Sequence, residues 1–232
     1  MMNNLFLHKG YSFDNQDLLS ELPDAICKSI HKNRITIYFK CGDSIFIEGK
    51  EPTGIYRIKK GKVKKFTSTN FGTEHIFYVC KENEYLGYHA VLSEDFYPDS
   101  ATALTDCEIE FISKSDFFKA VDKSHELAQR LLKNISREFG VFLNALKLLA
   151  KYTVRERAAL NLLILESKFR EDSRDDTVII INRGDLASMV GTAKESLVRM
   201  LKDFKEEQLI TTKGSSIFIK DYKGLVKASN FN

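Results

Sequence analysis

Apolar and polar residues alternate with a period of two between Arg34 and Ser113. The alternating runs are short and cover 34–39, 44–48, 54–58, 62–66, 75–79 and 107–112. Glycines lie between the runs, where turns need a permissive backbone: Gly42, Gly49, Gly61, Gly72 and Gly87. Successive side chains of a strand point to opposite faces, so one face of each run is suited to a core. The pattern predicts about eight short strands in an antiparallel jelly roll or sandwich.

The period becomes helical after Ser113. Ser115 or Asp116 is a candidate cap for a short helix, and a much longer helix is predicted to begin near Ser124. Its bulky apolar residues recur at alternating spacings of three and four: Leu132, Ile135, Phe139, Phe142, Leu146 and Leu149. This is the spacing of a seam between two helices, and with one chain it predicts a homodimer. The alternative is a helix that packs only on its own domain.

The last third of the chain contains two short segments with helical periodicity, which are separated by a glycine. Thr153 is a candidate cap for the helix before them, and the polar run 170–176 is expected to be a loop. Asn182 is expected to cap the first short helix, Gly191 to form the turn, and Thr192 to cap the second. The expected inner faces are Leu186, Met189 and Val190, then Leu197, Met200, Leu201 and Phe204. With the strand–glycine–strand run at 209–219, the pattern predicts a winged helix-turn-helix.

In this motif the first residues of the second helix face the major groove of DNA. We therefore predict that Lys194, Glu195 and Arg199 contact bases. The candidate contacts to the DNA backbone are polar residues around the motif: Asn182, Arg183, Thr192, Ser196, Lys202, Lys213 and Ser215. The alternative is a helix pair that only mediates protein contacts. Charge weakly favours DNA: 15 basic and 12 acidic residues lie from Lys151 onward, against 20 of each before it.

The composition excludes some classes of protein, but it identifies no catalytic or metal-binding residues. The 232 residues are 43% hydrophobic and 29% charged, which is typical of a globular protein. We find no apolar stretch long enough for a membrane span and no signal-peptide pattern, so a cytoplasmic protein is expected. The four cysteines include no Cys-x-x-Cys pair, and the five histidines no His-x-His pair. No metal site is predicted.

The order of these parts resembles the Crp/Fnr superfamily of cyclic-AMP receptor and fumarate–nitrate regulators. The resemblance is carried by the segment 190–201 and by Gly42, Gly61 and Gly87. It implies an α+β protein with a jelly-roll sensor over 1–122, a dimerisation helix over 123–150 and a winged helix-turn-helix over 151–232. It also implies a homodimeric transcription regulator that is not an enzyme and has a pseudo-palindromic DNA operator and RNA polymerase as partners.

The resemblance places the recognition residues Arg-Glu-x-x-x-Arg of the family at Lys194, Glu195 and Arg199. Lys194 thus replaces an arginine and lacks its two-pronged guanidinium. The resemblance also places a degenerate cyclic-nucleotide cassette at Gly87, Tyr88, His89, Asp99 and Ser100.

In that cassette, Tyr88 stands for the glutamate that holds the ribose, and Asp99 stands for the arginine that neutralises the phosphate. Gly140 and Val141 replace the Thr-Ser pair that contacts the base. Cyclic AMP is therefore not expected to bind in the usual mode, because a carboxylate repels the phosphate. No cofactor is expected, and the effector, if any, is left unidentified.

Three alternatives stay open at this point: a haem-sensing or redox-sensing member of the family, a metal-dependent enzyme, and a DNA-binding protein without an effector. A haem-sensing or redox-sensing member would need an axial ligand such as His75, His89 or a cysteine. Iron–sulfur members carry an N-terminal cysteine cluster, whereas the first cysteine here is Cys27. A metal-dependent enzyme of the cupin type would need clustered His and Glu ligands on adjacent strands.

Overall fold

The computed structural model of the chain describes residues 10–20, 22–23, 26, 30, 33–69, 72–170 and 177–231. The described residues divide into two compact units. One unit contains 13–67 and 79–140, and the other contains 10–12, 68–78 and 141–231. No helix within these ranges has the length and apolar character needed to cross a membrane. The domain limits predicted from the sequence stay a prediction.

Eight strands are described between residues 33 and 113. They are β1 Ile35–Phe39, β2 Ser44–Phe46, β3 Gly54–Lys60, β4 Val63–Ser68, β5 Glu74–Cys80, β6 Tyr85–Leu86, β7 Ser100–Ala103 and β8 Cys107–Ser113. They form two four-stranded sheets with the orders β1-β8-β3-β6 and β2-β7-β4-β5. β1 pairs with β8 in an antiparallel register from Ile35 opposite Phe111 to Phe39 opposite Cys107. The predicted jelly roll is confirmed.

Apolar side chains of the strands form the core of the jelly roll. Ile55, Ile58, Val63 and Ile109 are fully buried. The turn between β3 and β4 depends on Gly61, whose φ is +102°. A Cβ at this position would lie 2.6 Å from the backbone oxygen of Asp106, so only glycine fits.

A short helix, α1 Tyr88–Ser93, follows β6, and two helices follow β8. Helix α2 Lys114–Lys123 is capped by Ser113, whose hydroxyl accepts a hydrogen bond from the Asp116 backbone at 3.1 Å. The predicted caps Ser115 and Asp116 are wrong. A cap needs an extended backbone, which Ser113 retains as the last residue of β8, whereas Ser115 and Asp116 already lie inside the helix.

Helix α3 His125–Lys151 is the long helix that the sequence predicts. It begins after Ser124, whose hydroxyl accepts from the Leu127 backbone at 3.1 Å. The division between the two compact units falls within α3, between Gly140 and Val141.

The second unit contains the predicted winged helix-turn-helix. Its helices are α4 Val154–Phe169, α5 Arg183–Val190, α6 Lys194–Glu206 and α7 Tyr222–Ser229. Its strands β9 Ile179–Ile180, β10 Ile210–Lys213 and β11 Ser216–Ile219 form an antiparallel sheet in the order β10-β11-β9. Thr153 caps α4 as predicted, in a capping box with Glu156. Of the loop predicted at 170–176, the segment 171–176 lies outside the described residues.

Candidate nucleic-acid interface

Helix α5 is fixed at its start by Asn182. The Asn182 side-chain oxygen accepts a hydrogen bond from the Asp185 backbone at 2.8 Å, which confirms the predicted cap. The carboxylate of Asp185 lies in the first turn, where the helix dipole favours a negative charge. The predicted inner face of Leu186, Met189 and Val190 is buried.

The turn after α5 requires a glycine for two reasons. Gly191 has a φ of +67°, a left-handed backbone that side chains disfavour. A Cβ added there would lie 2.7 Å from Cδ2 of Leu149. The predicted turn glycine is therefore confirmed, and its close approach to α3 is a contact that local sequence patterns do not reveal.

Two basic side chains hold the C-terminal end of α5. Arg157 donates from Nε to the Val190 carbonyl at 2.8 Å and from Nη2 to the Gly191 carbonyl at 3.1 Å. Nδ1 of His75 lies 3.0 Å from the Ser188 carbonyl, which only accepts, so that nitrogen must carry the proton. Burial and the nearby Arg157 guanidinium keep the pKa of His75 below its usual value, although the Ser188 bond opposes this. These bonds satisfy carbonyls that a helix end leaves unpaired. Arg157 is not among the residues predicted from the sequence, because its partner Val190 lies 33 residues away.

Helix α6 begins differently from the prediction. Ala193 occupies the cap position without a side-chain hydrogen bond, so the assignment of Thr192 as the cap is wrong. The backbone N–H of Thr192 donates to the Ala187 carbonyl at 3.1 Å, which means that Thr192 closes α5 instead of opening α6. The expected inner face is confirmed for Leu197, Leu201 and Phe204, which are buried, while Met200 is half-buried.

The three predicted base-contacting residues lie together on the outer surface of α6. Lys194, Glu195 and Arg199 are all exposed. Nη2 of Arg199 lies 3.3 Å from the Ser196 hydroxyl, and this weak bond leaves the guanidinium accessible. Val198 and Lys202 are exposed on the same helix. We call the five residues Lys194, Glu195, Val198, Arg199 and Lys202 the exposed arc of α6.

The predicted backbone contacts differ in how accessible they are. Lys202, Lys213 and Ser215 are exposed, and Thr192 and Ser196 are half-buried. Exposed Asn182 donates its amide to the Asp185 carboxylate. The contact of each of these residues with DNA stays a prediction.

Arg183 has a structural partner in the wing. It donates from Nη2 to the Gly214 carbonyl at 3.0 Å, in the turn between β10 and β11. Burial lowers the pKa of its guanidinium from the usual value. Arg183 therefore connects the start of α5 to the wing turn. Its partner Gly214 lies between the exposed Lys213 and Ser215.

The degenerate cassette is built around buried charges in the other compact unit. Asp99 places one carboxylate oxygen 3.0 Å from Nζ of Lys65 and the other 3.3 Å from Nε2 of His89. The same Lys65 nitrogen lies 3.4 Å from the Glu138 carboxylate, to which the Tyr88 hydroxyl donates at 2.8 Å. We call these five residues the buried charge network.

The remaining cassette residues shape the backbone around the network. Gly87 has a φ of +79° and caps α1. The buried Ser100 hydroxyl accepts from the Glu48 backbone at 3.0 Å.

Opposite charges within the network keep Lys65 and Asp99 ionised although both side chains are buried. Burial alone would lower the pKa of Lys65, but the carboxylates of Glu138 and Asp99 raise it above its usual value. Burial alone would raise the pKa of Asp99, but Lys65 and then His89 lower it. Burial and Glu138 raise the pKa of Tyr88, which is therefore a neutral donor.

Lys65 and Glu138 are not among the site residues predicted from the sequence. Lys65 shares the strand parity of the buried Val63, but Lys64 and Phe66 of the other parity are buried too, so the alternation of β4 does not single out Lys65. Of the two histidines considered as haem or metal ligands, His75 belongs to one compact unit and His89 to the other. Within the described ranges no three His, Cys, Asp or Glu side chains form a metal-binding group.

The predicted seam residues of α3 form a largely exposed apolar face. Leu132, Phe139 and Leu146 are 67%, 64% and 53% exposed. Ile135, Phe142 and Leu149 are less exposed. The Phe142 ring packs edge-on against Phe77, with centroids 5.8 Å apart. Leu143 is also exposed beside the face, although the spacing rule does not include it.

Comparison with known proteins gives matches in both parts of the chain. A model of the cyclic nucleotide-binding domain matches residues 36–124, and a model of the Crp-like helix-turn-helix domain matches residues 156–228. The chain is 27% identical over 223 residues to the anaerobic regulatory protein of Haemophilus influenzae, which covers 94% of this chain and 82% of that protein. It is 28% identical over 191 residues to the fumarate and nitrate reduction regulatory protein of Escherichia coli, covering 80% and 75%.

Two solved structures share the fold. FixK2 from Bradyrhizobium japonicum aligns with a TM-score of 0.74 at 17% identity, covering 84% of this chain and 96% of that one. A Crp/Fnr-family transcriptional regulator from Thermus thermophilus aligns with a TM-score of 0.68 at 22% identity, covering 84% and 98%. The two matched domains, the order of the elements and the regulators that match along most of the chain agree, and the chain belongs to the Crp/Fnr family of transcription regulators.

Proposed function

We propose that the chain is a homodimeric, sequence-specific regulator whose two α6 helices read the half-sites of a pseudo-palindromic operator. The exposed arc of α6 carries this proposal. It presents two cations and a carboxylate within the first six residues of the helix, and the opposite side packs into the core. The N-terminal end of a recognition helix is the part that enters the major groove.

The side chains of the arc differ in the base edges that they can bind. The Glu195 carboxylate accepts from a cytosine amine, and the Arg199 guanidinium donates to N7 and O6 of guanine. Lys194 offers a single ammonium group with no fixed plane, so it distinguishes bases less sharply than an arginine would. Glu195 and Arg199 are four residues apart, which places them one above the other on the helix.

The apolar face of α3 supports the homodimer. A second copy of the same face would cover its exposed leucines and phenylalanines, and the spacing of three and four is that of helices packed side by side. A two-fold dimer would present its recognition helices to half-sites about 34 Å apart.

The buried charge network supports a further part of the proposal, that cyclic AMP does not bind in the usual mode. The position that would face the phosphate holds the carboxylate of Asp99, and the nearby Lys65 ammonium is already paired with Asp99 and Glu138. An anion entering this region would have to displace one of those carboxylates. The proposal assigns no other effector.

Selection of bound fragments from random DNA tests the proposed function. The expected product is a two-fold symmetric consensus, and failure to enrich any sequence would reject sequence-specific binding.

The variant Arg199→Ala should bind the consensus about 1–3 kcal/mol less tightly and lose its preference at one base pair in each half-site. Lys202→Ala is the matched control on the same arc, because loss of a phosphate contact weakens binding to specific and random DNA alike. The test is the affinity of each variant for the consensus and for random DNA, measured at the same salt concentration. Equal losses for Arg199→Ala on both kinds would show that Arg199 contacts phosphate.

A further inference from the structure

One apolar side chain lies within the otherwise charged arc of α6. Val198 is 48% exposed. Isolated apolar residues are common on protein surfaces, so exposure alone assigns no role to it. Its place on the helix is more informative.

Successive residues of an α-helix are rotated by about 100° around its axis. With this rotation, the five residues of the exposed arc follow one another around the helix in the order Lys194, Val198, Lys202, Glu195 and Arg199. Val198 thus lies inside the arc, between two lysines, rather than at the margin of the buried face formed by Leu197, Leu201 and Phe204. It also lies one turn from Glu195, near the N-terminal end of the helix.

The chemistry of valine limits what it can contact in a DNA groove. Its side chain has no donor or acceptor, so it cannot bind a phosphate or the polar edge of a base. Its branched Cβ leaves one strongly preferred rotamer in a helix, which holds the two methyl groups in a fixed direction. The major groove displays one apolar group on base edges, the 5-methyl group of thymine.

We propose that Val198 is a specificity-determining residue that contacts the 5-methyl group of a thymine next to the base pairs bound by Glu195 and Arg199. This inference rests on the proposed function, and it adds a base contact that carries no charge and no hydrogen bond. An apolar contact of this kind favours thymine over cytosine at the same position, because cytosine lacks the methyl group.

Deoxyuridine provides the test, because it differs from thymidine only in lacking the 5-methyl group. In the selected operator, each thymine of one half-site is replaced by deoxyuridine in turn, and the same replacement is then made in both half-sites. At one thymine per half-site the wild-type protein should bind about fourfold less tightly for one replacement and about 16-fold less tightly for both.

The variant Val198→Ala should bind the thymine operator with a comparable loss, and deoxyuridine at that position should then have little further effect. Val198→Thr is the conservative control, because it keeps one methyl group and the branched Cβ and should retain part of the sensitivity. Thermal melting of each variant confirms that it is folded.

Three results would overturn the inference. They are equal affinity for thymine and deoxyuridine at every position, a deoxyuridine effect that persists at full size in Val198→Ala, and a selected half-site without thymine. These results all require a selected operator, so they are distinct from failure of the proposed function, in which no sequence is enriched.

Discussion

Lys65 shows how a single buried side chain can hold two carboxylates together inside a domain. Its side chain is 6% exposed, and its ammonium group lies between the carboxylates of Asp99 and Glu138. Removing ions from water is costly, so such a cluster is stable only while each charge keeps its partners. The region that the family resemblance assigns to a bound anion is thus occupied by the anions of this chain.

Replacement of Lys65 by methionine, which has a similar length and no charge, should lower the free energy of unfolding by about 3–5 kcal/mol. The substitution leaves two carboxylates without their shared cation. Urea denaturation measures the change. Lys59→Met is the matched control, since Lys59 is a more exposed lysine that pairs with Glu108, and its loss should cost less than about 1 kcal/mol. Equal effects of the two substitutions would contradict the account.

The network also predicts the sign of a pH dependence. The pKa of Asp99 lies below its usual value in the folded chain. Its stabilising contribution is therefore present above about pH 4, the usual pKa of the unfolded residue, and is lost as the pH falls through the lower folded value. In Lys65→Met this part of the acid dependence should disappear from the urea profiles.

Caps and turns show what local sequence can predict about single residues. Asn182, Gly191 and Thr153 were predicted because each satisfies a need of its own few neighbours. Ser113 was missed because its role depends on where β8 ends, and Thr192 was misassigned because its N–H is used by the preceding helix. Arg157 and His75 reach α5 from 33 and 113 residues away, and no local pattern reports such a contact.

At the scale of elements, periodicity predicted nearly all that matters for the proposed interface. The alternation predicted the strands, and the spacing of three and four predicted both the length of α3 and its apolar face. The prediction from periodicity was inaccurate at the boundaries of elements, where strand and helix compete for the same residues. Leu143 shows a second limit, since a rule of strict spacing omits exposed apolar residues that flank the face.

The double variant Ile135→Glu, Phe142→Glu should be monomeric and should lose operator affinity. Two carboxylates in the proposed seam would have to be buried without partners. Light scattering gives the mass in solution, and operator binding is measured on the same samples. Lys133→Glu is the matched control, because it changes the net charge by the same two units at an exposed position off the seam. A double variant that remains dimeric would place the interface elsewhere.

At the scale of the whole chain, family domains and compact units do not coincide. Residues 68–69 and 72–78 belong by sequence order to the jelly roll but by their contacts to the unit with the winged helix-turn-helix. His75 and Phe77 make the contacts that account for this. Such long-range pairing depends on the three-dimensional path of the chain, and the one-dimensional pattern therefore could not predict it.

Millimolar cyclic AMP should leave both the melting temperature and the operator affinity unchanged. A ligand present at a hundred times its dissociation constant would add about 2.7 kcal/mol, which a melting scan detects easily. Operator DNA in the same scan is the positive control, since a ligand of the folded state raises the melting temperature by the same mass action. A rise of several degrees with cyclic AMP, together with tighter operator binding, would show that another basic residue accepts the phosphate.

The exposed apolar face of α3 has a consequence for gene dosage. For a regulator that must pair through this face before it binds, the concentration of the paired form rises with the square of chain abundance while most copies are single. A twofold change in synthesis or degradation then changes operator occupancy by about fourfold, as long as most operators are free. The leucines and phenylalanines of one helix would thus give operator binding a threshold, so that small fluctuations at low copy number leave the operator unoccupied.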